Sequence, residues 1–109
     1  MPRKSEREPD KATRRDAPLE KVIVARVMDE ARRLGFTAIK MHGGPFSVRG
    51  LPDVLAIKRG RAYWMEAKRP GEEPTRVQVA RMRELAAAGC SVAVVTSAAD
   101  ARVFLENAQ

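Results

Sequence analysis

Apolar residues recur at helical spacing from Leu19 through Ile23, Val27, Ala31 and Leu34, a period that lays one stripe of a helix against a core. Asp16 is placed to cap this helix, Pro18 suits its first turn and Gly35 its stop. Glu20, three residues before Ile23 and seven before Val27, falls on the buried side of the stripe or on its shoulder. The period then shortens to two. In "FTAIKMH" (36–42) Phe36, Ala38 and Lys40 share one face and Thr37, Ile39 and Met41 the other, as in a strand. "GGPFSVRG" (43–50) is loop by its Gly and Pro content. "DVLAIKRGRAYWMEAK" (53–68) reads as two β-rich runs joined by the turn "RGR", an antiparallel hairpin.

Helical spacing returns after "RPGEEP" with Val79, Met82, Leu85 and Ala86, capped by Thr75 and stopped by Gly89. "SVAVVT" (91–96) is a continuous apolar run, the pattern of a strand covered on both faces. Ser97 with Asp100 resembles a capping box for a short last helix ending near Glu106. The predicted order is α-β-β-β-α-β-α, with the second helix carrying the crossover between two strands of one sheet.

Residues 1–17 have no apolar periodicity and are expected to form a flexible charged arm ahead of a single domain, 18–109. A chain of 109 residues can bury about two-thirds of its unfolded surface, so the core needs no disulfide or structural metal. The single Cys90 has no intrachain partner and reads as a small apolar residue in a reducing compartment.

Charge adds a partner. The 21 Lys and Arg against 14 Asp and Glu leave a net +7. Six basic and four acidic residues of the arm account for +2 of it, so +5 belongs to the folded part. Such a surface suits a polyanion, either nucleic acid or an anionic membrane. No apolar run approaches the roughly 20 residues of a membrane span, and the N-terminus lacks a signal-like apolar segment, which makes the cytoplasm the expected residence. There is no phosphate-cradling Gly loop or dinucleotide fingerprint, and no organic cofactor is expected.

The hairpin carries the chemistry. Glu66 and Lys68 are two apart and project from one face with Trp64, while Tyr63, Met65 and Ala67 point the other way. With the turn at 59–61, residue 53 pairs approximately with 67, bringing Asp53 within reach of Glu66 and Lys68. Charges in a sheet cost free energy unless paired, solvated or bound to a metal. Two carboxylates suit Mg²⁺, or Mn²⁺ in its place, with waters and phosphate oxygens filling the other positions. Taken alone, Glu66 and Lys68 read as an exposed ion pair worth about 0–1 kcal/mol. An acid before the hairpin together with Glu-x-Lys in its second strand is far more informative.

Pro52-Asp53 followed thirteen residues later by Glu66-Ala67-Lys68 resembles the PD-(D/E)XK nuclease motif, and its setting resembles the VRR-NUC (virus-type replication-repair nuclease) branch over about residues 18–105. The marks are Gly50 before Pro52-Asp53, the tight hairpin, "EAKRPG", a Thr-x-x-Gln start to the second helix, and Leu85 through Gly89 before the last strand. The resemblance implies an α/β restriction-endonuclease-like core, αβββαβ, with a central mixed four-stranded sheet flanked by helices and a short C-terminal helix. It implies Asp53, Glu66 and the Ala67 carbonyl as metal ligands and Lys68 as the catalytic lysine. Glu20 matches the helix 1 acid, a ligand directly or through water, and Gln78 the helix 2 glutamine near the lysine or phosphate. Independently, Glu20 also reads as a first-turn acid favoured by the helix dipole, and Gln78 as the capping-box partner of Thr75.

Ser47 and Arg49, in the loop beside Asp53, and Arg69 and Arg76 are candidate phosphate contacts, with Arg81 and Arg83 enlarging the basic surface. His42 has no second His or Cys to work with and reads as structural or solvated. The resemblance further implies a bacterial or phage-encoded homodimer that cuts branched DNA such as four-way Holliday junctions, in repair or recombination. A flap or nicking nuclease subunit of a larger complex, or a DNA-binding module without catalysis, are the alternatives.

Overall fold

The computed structural model describes residues 17–41 and 48–108. The expected arm, apart from Ala17, and the candidates His42 and Ser47 lie outside the described residues. Seven elements follow in the predicted order: α1 (Glu20–Arg33), β1 (Thr37–Lys40), β2 (Val54–Lys58), β3 (Arg61–Ala67), α2 (Arg76–Ala87), β4 (Ser91–Val95) and α3 (Ala98–Asn107). They build one mixed sheet in the order β1-β2-β3-β4. The first three strands are antiparallel neighbours, and β4 joins β3 in parallel, as a strand–helix–strand crossover requires.

One face of this sheet holds the core. Ile23, Val27 and Ala31 of α1 are buried as their spacing predicts, and they meet Val54 and Ala56 of β2, Tyr63, Met65 and Ala67 of β3, and Ala101 and Leu105 of α3. Edge-on contacts of Tyr63 with Phe36 (5.2 Å) and Phe104 (6.2 Å) tie β3 to the connection after α1 and to α3, a geometry that aromatic quadrupoles favour. Trp64, Glu66 and Lys68 alternate to the opposite face, yet they too are buried.

Four expectations change. Leu19, not Asp16, is the N-cap residue of α1; it offers no side-chain cap and is 54% exposed rather than part of the stripe. β4 is an edge strand rather than one covered on both faces: only Val95 is buried and Val94 is 42% exposed. Its apolar run reflects a parallel strand with one neighbour, and α2, which packs along it, buries none of its own residues. In α3 the Ser97 hydroxyl accepts from the Asp100 amide (3.1 Å), but Asp100 turns to Thr96, taking its N–H (2.9 Å) and hydroxyl (2.8 Å), so the box is open on one side.

The fourth difference concerns register. The hairpin turn has two residues, Arg59 and Gly60, both at positive φ (53° and 74°), as a type I′ turn demands. Lys58 therefore pairs with Arg61 and Val54 with Met65, and continuing that ladder sets Asp53 opposite Glu66, one residue from the expected 67. Because side chains alternate along a strand, this single step decides which face Asp53 shares. Opposite 67 it would stand on the core face; opposite 66 it stands with the glutamate.

Candidate active site

Asp53 is held from both sides. Its carbonyl accepts the Met41 amide at 2.8 Å, extending the β1–β2 ladder. Its carboxylate Oδ2 accepts the Ala67 N–H at 2.9 Å, taking the place of the next backbone rung between β2 and β3. The loop leading into it is pressed against α2: Gly50 sits at φ +79°, and a Cβ there would lie 2.6 Å from the Val77 carbonyl oxygen. Only a residue without a side chain lets the backbones approach so closely.

Glu66, in the middle of the mixed pairing between β2 and β4, is 1% exposed. Its Oε2 is buried and meets no hydrogen-bond donor among the described residues. Loss of water pushes its carboxyl from the ordinary 4.5 up to about 9, helped by a proton-sharing contact with Asp53 and by the charges of Asp53 and Glu20, and opposed by Lys68. Two acid groups forced together in a dry site need a shared proton or a cation.

Lys68 follows β3, its amide bonded to the Val95 carbonyl at 3.0 Å. Its side chain is 11% exposed, and Nζ lies 3.8 Å from Glu20 Oε1, whose side chain is 44% exposed. Glu20 thus stands at the rim, at the N-terminus of α1, where the helix dipole favours an anion. The structure brings Asp53, Glu66, Lys68 and Glu20 into one corner, at the end of the sheet where β2 begins and β3 finishes.

Among the described residues no three His, Cys, Asp or Glu side chains cluster closely enough to hold a metal by themselves. A donor set of two carboxylates, a main-chain carbonyl such as that of Ala67, and water is what Mg²⁺ ordinarily accepts. The orphaned Glu66 Oε2 beside Asp53 fits that set.

The remaining candidates are engaged in other ways. Gln78 completes a full capping box: its Oε1 accepts the Thr75 N–H (2.8 Å), and its own N–H donates to the Thr75 hydroxyl (3.2 Å). Arg69 donates to the Ala17 carbonyl at 3.0 Å, fastening the chain ahead of α1. Arg49 is exposed, and its carbonyl accepts from Arg81 Nε at 3.2 Å. Arg76 is exposed at the first position of α2. Two basic residues that the motifs did not single out lie at the same end of the sheet: Lys21 follows Glu20, and Lys40 pairs with Val54, which sets its side chain on the α1 face, away from Asp53 and Glu66.

No family model matches the chain. A curated relative, "Putative nuclease p44" of Acyrthosiphon pisum secondary endosymbiont phage 1, is 34% identical over 84 residues, which span 76% of this chain and 84% of that protein. Two solved structures share the fold. One, named "VRR_NUC domain", aligns with TM-score 0.69 and 23% identity over 83% of this chain and 97% of its own. The other, named "VRR_NUC domain protein", has TM-score 0.69 and 22% identity over 84% of this chain and 88% of its own.

Proposed function

The chain belongs to the family of the phage protein "Putative nuclease p44" and has the fold of the VRR_NUC domain structures, and from that premise we propose that it is a divalent-metal-dependent DNA endonuclease of the VRR-NUC type whose reaction is hydrolysis of a phosphodiester bond. The observation that carries the reading is the meeting of half-buried Asp53 with buried Glu66, one of whose carboxylate oxygens has no donor among the described residues.

Asp53, Glu66 and the Ala67 carbonyl would hold the ion. Mg²⁺, with Mn²⁺ as a substitute, supplies Lewis-acid polarisation of the phosphate and lowers the pKa of water when bound. Lys68, nearly buried and steadied by Glu20, orients the attacking water and offsets the negative charge that grows on the phosphate oxygens as the 3′ oxygen leaves. Glu20 acts by holding Lys68 in place and by reaching the site through water. The arginines at the surface contribute the sequence-independent phosphate attraction that a basic chain offers.

Within this reading the substrate is branched DNA and the working unit is a homodimer, because symmetric cutting of a four-way junction needs two sites related by a two-fold axis. Support comes from α2, which covers β4 without burying any residue and leaves Val77 and Val94 each 42% exposed. No helix among the described residues is long and apolar enough to cross a membrane, and the reading places the protein with its DNA in the cytoplasm of a bacterial host.

The test is incubation of wild type and Lys68→Ala with labelled four-way junction, flap, duplex, single strand and an RNA control, each with Mg²⁺, Mn²⁺ or EDTA. Cleavage by wild type that stops with EDTA is expected. The variant should lose it by at least about 10³-fold, as for a lost transition-state contact, while keeping DNA affinity. Cutting that persists in EDTA would overturn the metal-dependent reading, and no cutting on any substrate would leave a DNA-binding module as the function.

A further inference from the structure

A groove runs away from the catalytic corner on the side of α1 and β1. It encloses about 180 Å³, and its α1 wall is a single ridge of Lys21, Ala25, Met28 and Arg32, spaced four, three and four residues apart and so aligned along one helix face. Lys40, the last residue of β1, lines the opposite wall. Lys21 follows Glu20 in the chain, and Lys40, in register with Val54, stands on the α1 face of the sheet at the same end where β2 begins. We propose that this groove seats the sugar–phosphate backbone of the DNA strand flanking the scissile phosphate, a proposal that rests on the nuclease reading.

Three features carry it. Lys21 and Lys40 make no ion pair or side-chain hydrogen bond among the described residues, so their charges are unspent. Arg32 is held across the groove by a 3.3 Å bond from Nη2 to the Ala38 carbonyl, which fixes a planar donor fork at the far end with other N–H groups to give. Against these three cations stands one acid, Asp29, leaving the lining at +2. The floor is apolar, with Val24 buried and Met28 half-buried, suited to the sugar face of a nucleotide.

The dimensions agree with a strand. From Lys21 to Arg32 the helix rises about 16 Å, the span of roughly two to three phosphates followed along a strand, where each step is about twice the 3.4 Å axial rise. A strand laid here has one end at Asp53 and Glu66 and the other at Arg32. Lys21 and Lys40 would then hold the phosphates nearest the reacting one, with Arg32 at the far end.

The experiment compares wild type, the double variant K21E/K40E and a charge-matched control, R61E/R102E, whose residues are exposed elsewhere. Binding of labelled branched DNA is measured by anisotropy in EDTA across a salt series, and cleavage is measured in Mg²⁺. K21E/K40E is expected to weaken binding at least about ten-fold and to flatten the slope of log affinity against log salt by about 2, one phosphate per lysine. Its kcat at saturating DNA should stay within about three-fold of wild type while KM rises, which separates a backbone contact from a catalytic one. The control should change neither slope nor KM by a comparable amount. Cleaving protein in which K21E/K40E matches the control overturns the groove and leaves the nuclease standing. If wild type cuts nothing while K21E/K40E alone loses DNA, the nuclease reading falls and the groove survives as a DNA site.

Discussion

Glu66→Gln tests the site through stability as well as activity. In the folded protein the Glu66 carboxyl is pushed from 4.5 up to about 9, whereas in the unfolded chain it regains its ordinary value. Across that window the folded state holds a proton that the unfolded state has released. Stability in the absence of metal is therefore full at acid pH and falls as pH rises, by about 1.4 kcal/mol per pH unit. This sign is opposite to that of a salt-bridged carboxylate. The slope depends only on one proton being retained by the Asp53–Glu66 pair, so between pH 6 and pH 8 it amounts to about 2–3 kcal/mol, a large share of the roughly 5–15 kcal/mol of an ordinary domain. Glutamine keeps the shape, cannot ionise and can donate its amide N–H to Asp53. Urea unfolding in EDTA at several pH values should show E66Q gaining on wild type by that slope. Adding Mg²⁺ should then stabilise wild type, by about 2.7 kcal/mol at a hundred times Kd, and leave E66Q unmoved and inactive. Parallel pH profiles for the two proteins, or equal stabilisation by Mg²⁺, would refute the account of a dry carboxylate pair built for a cation.

Other outcomes follow from single contacts. Asp53→Asn keeps an oxygen for the Ala67 N–H and should fold normally but lose cleavage; Asp53→Ala leaves that N–H unpaired and should cost a further 1–3 kcal/mol or so by chemical denaturation. Gly50→Ala meets both a positive φ and the Val77 carbonyl at 2.6 Å, whereas Gly60→Ala meets a positive φ alone, with nothing within 4 Å. The first should lower Tm more than the second, the second costing about 1 kcal/mol, and only the first should depress cleavage, by shifting the loop ahead of Asp53. Gln78→Glu preserves the capping box with Thr75 and should melt like wild type, while Gln78→Ala should lose about 1 kcal/mol. A Gln78→Glu protein that melts normally but has lost cleavage would move the glutamine from the cap to the phosphate.

Much of this was legible in one dimension because it is local. Helical period and the Gly35 and Gly89 stops locate α1 and α2, with Thr75 capping α2 as its chemistry predicts while the expected Asp16 cap of α1 falls three residues short of the real start, and the acid, acid, lysine spacing around a hairpin names the reacting groups. The errors are those that neighbours decide. Whether an apolar run lies in the middle of a sheet or at its edge depends on strand order, which the composition of β4 does not encode. Whether α2 buries its stripe depends on what lies across from it.

The chain alone determined which residues bear charge, which face of α1 is apolar, and that an acid precedes and a Glu-Ala-Lys closes one hairpin, since these are properties of residue type and spacing. Tertiary structure decided their meeting. A two-residue turn in place of three moves Asp53 from opposite Ala67 to opposite Glu66, and alternation along the strand turns that one step into a change of face. The packing of sheet and helices then removes water from Glu66, sets Lys68 against Glu20, and brings Lys21 and Lys40 onto the walls of one groove. Desolvation and convergence arise from contacts between distant segments, and no local pattern carries them.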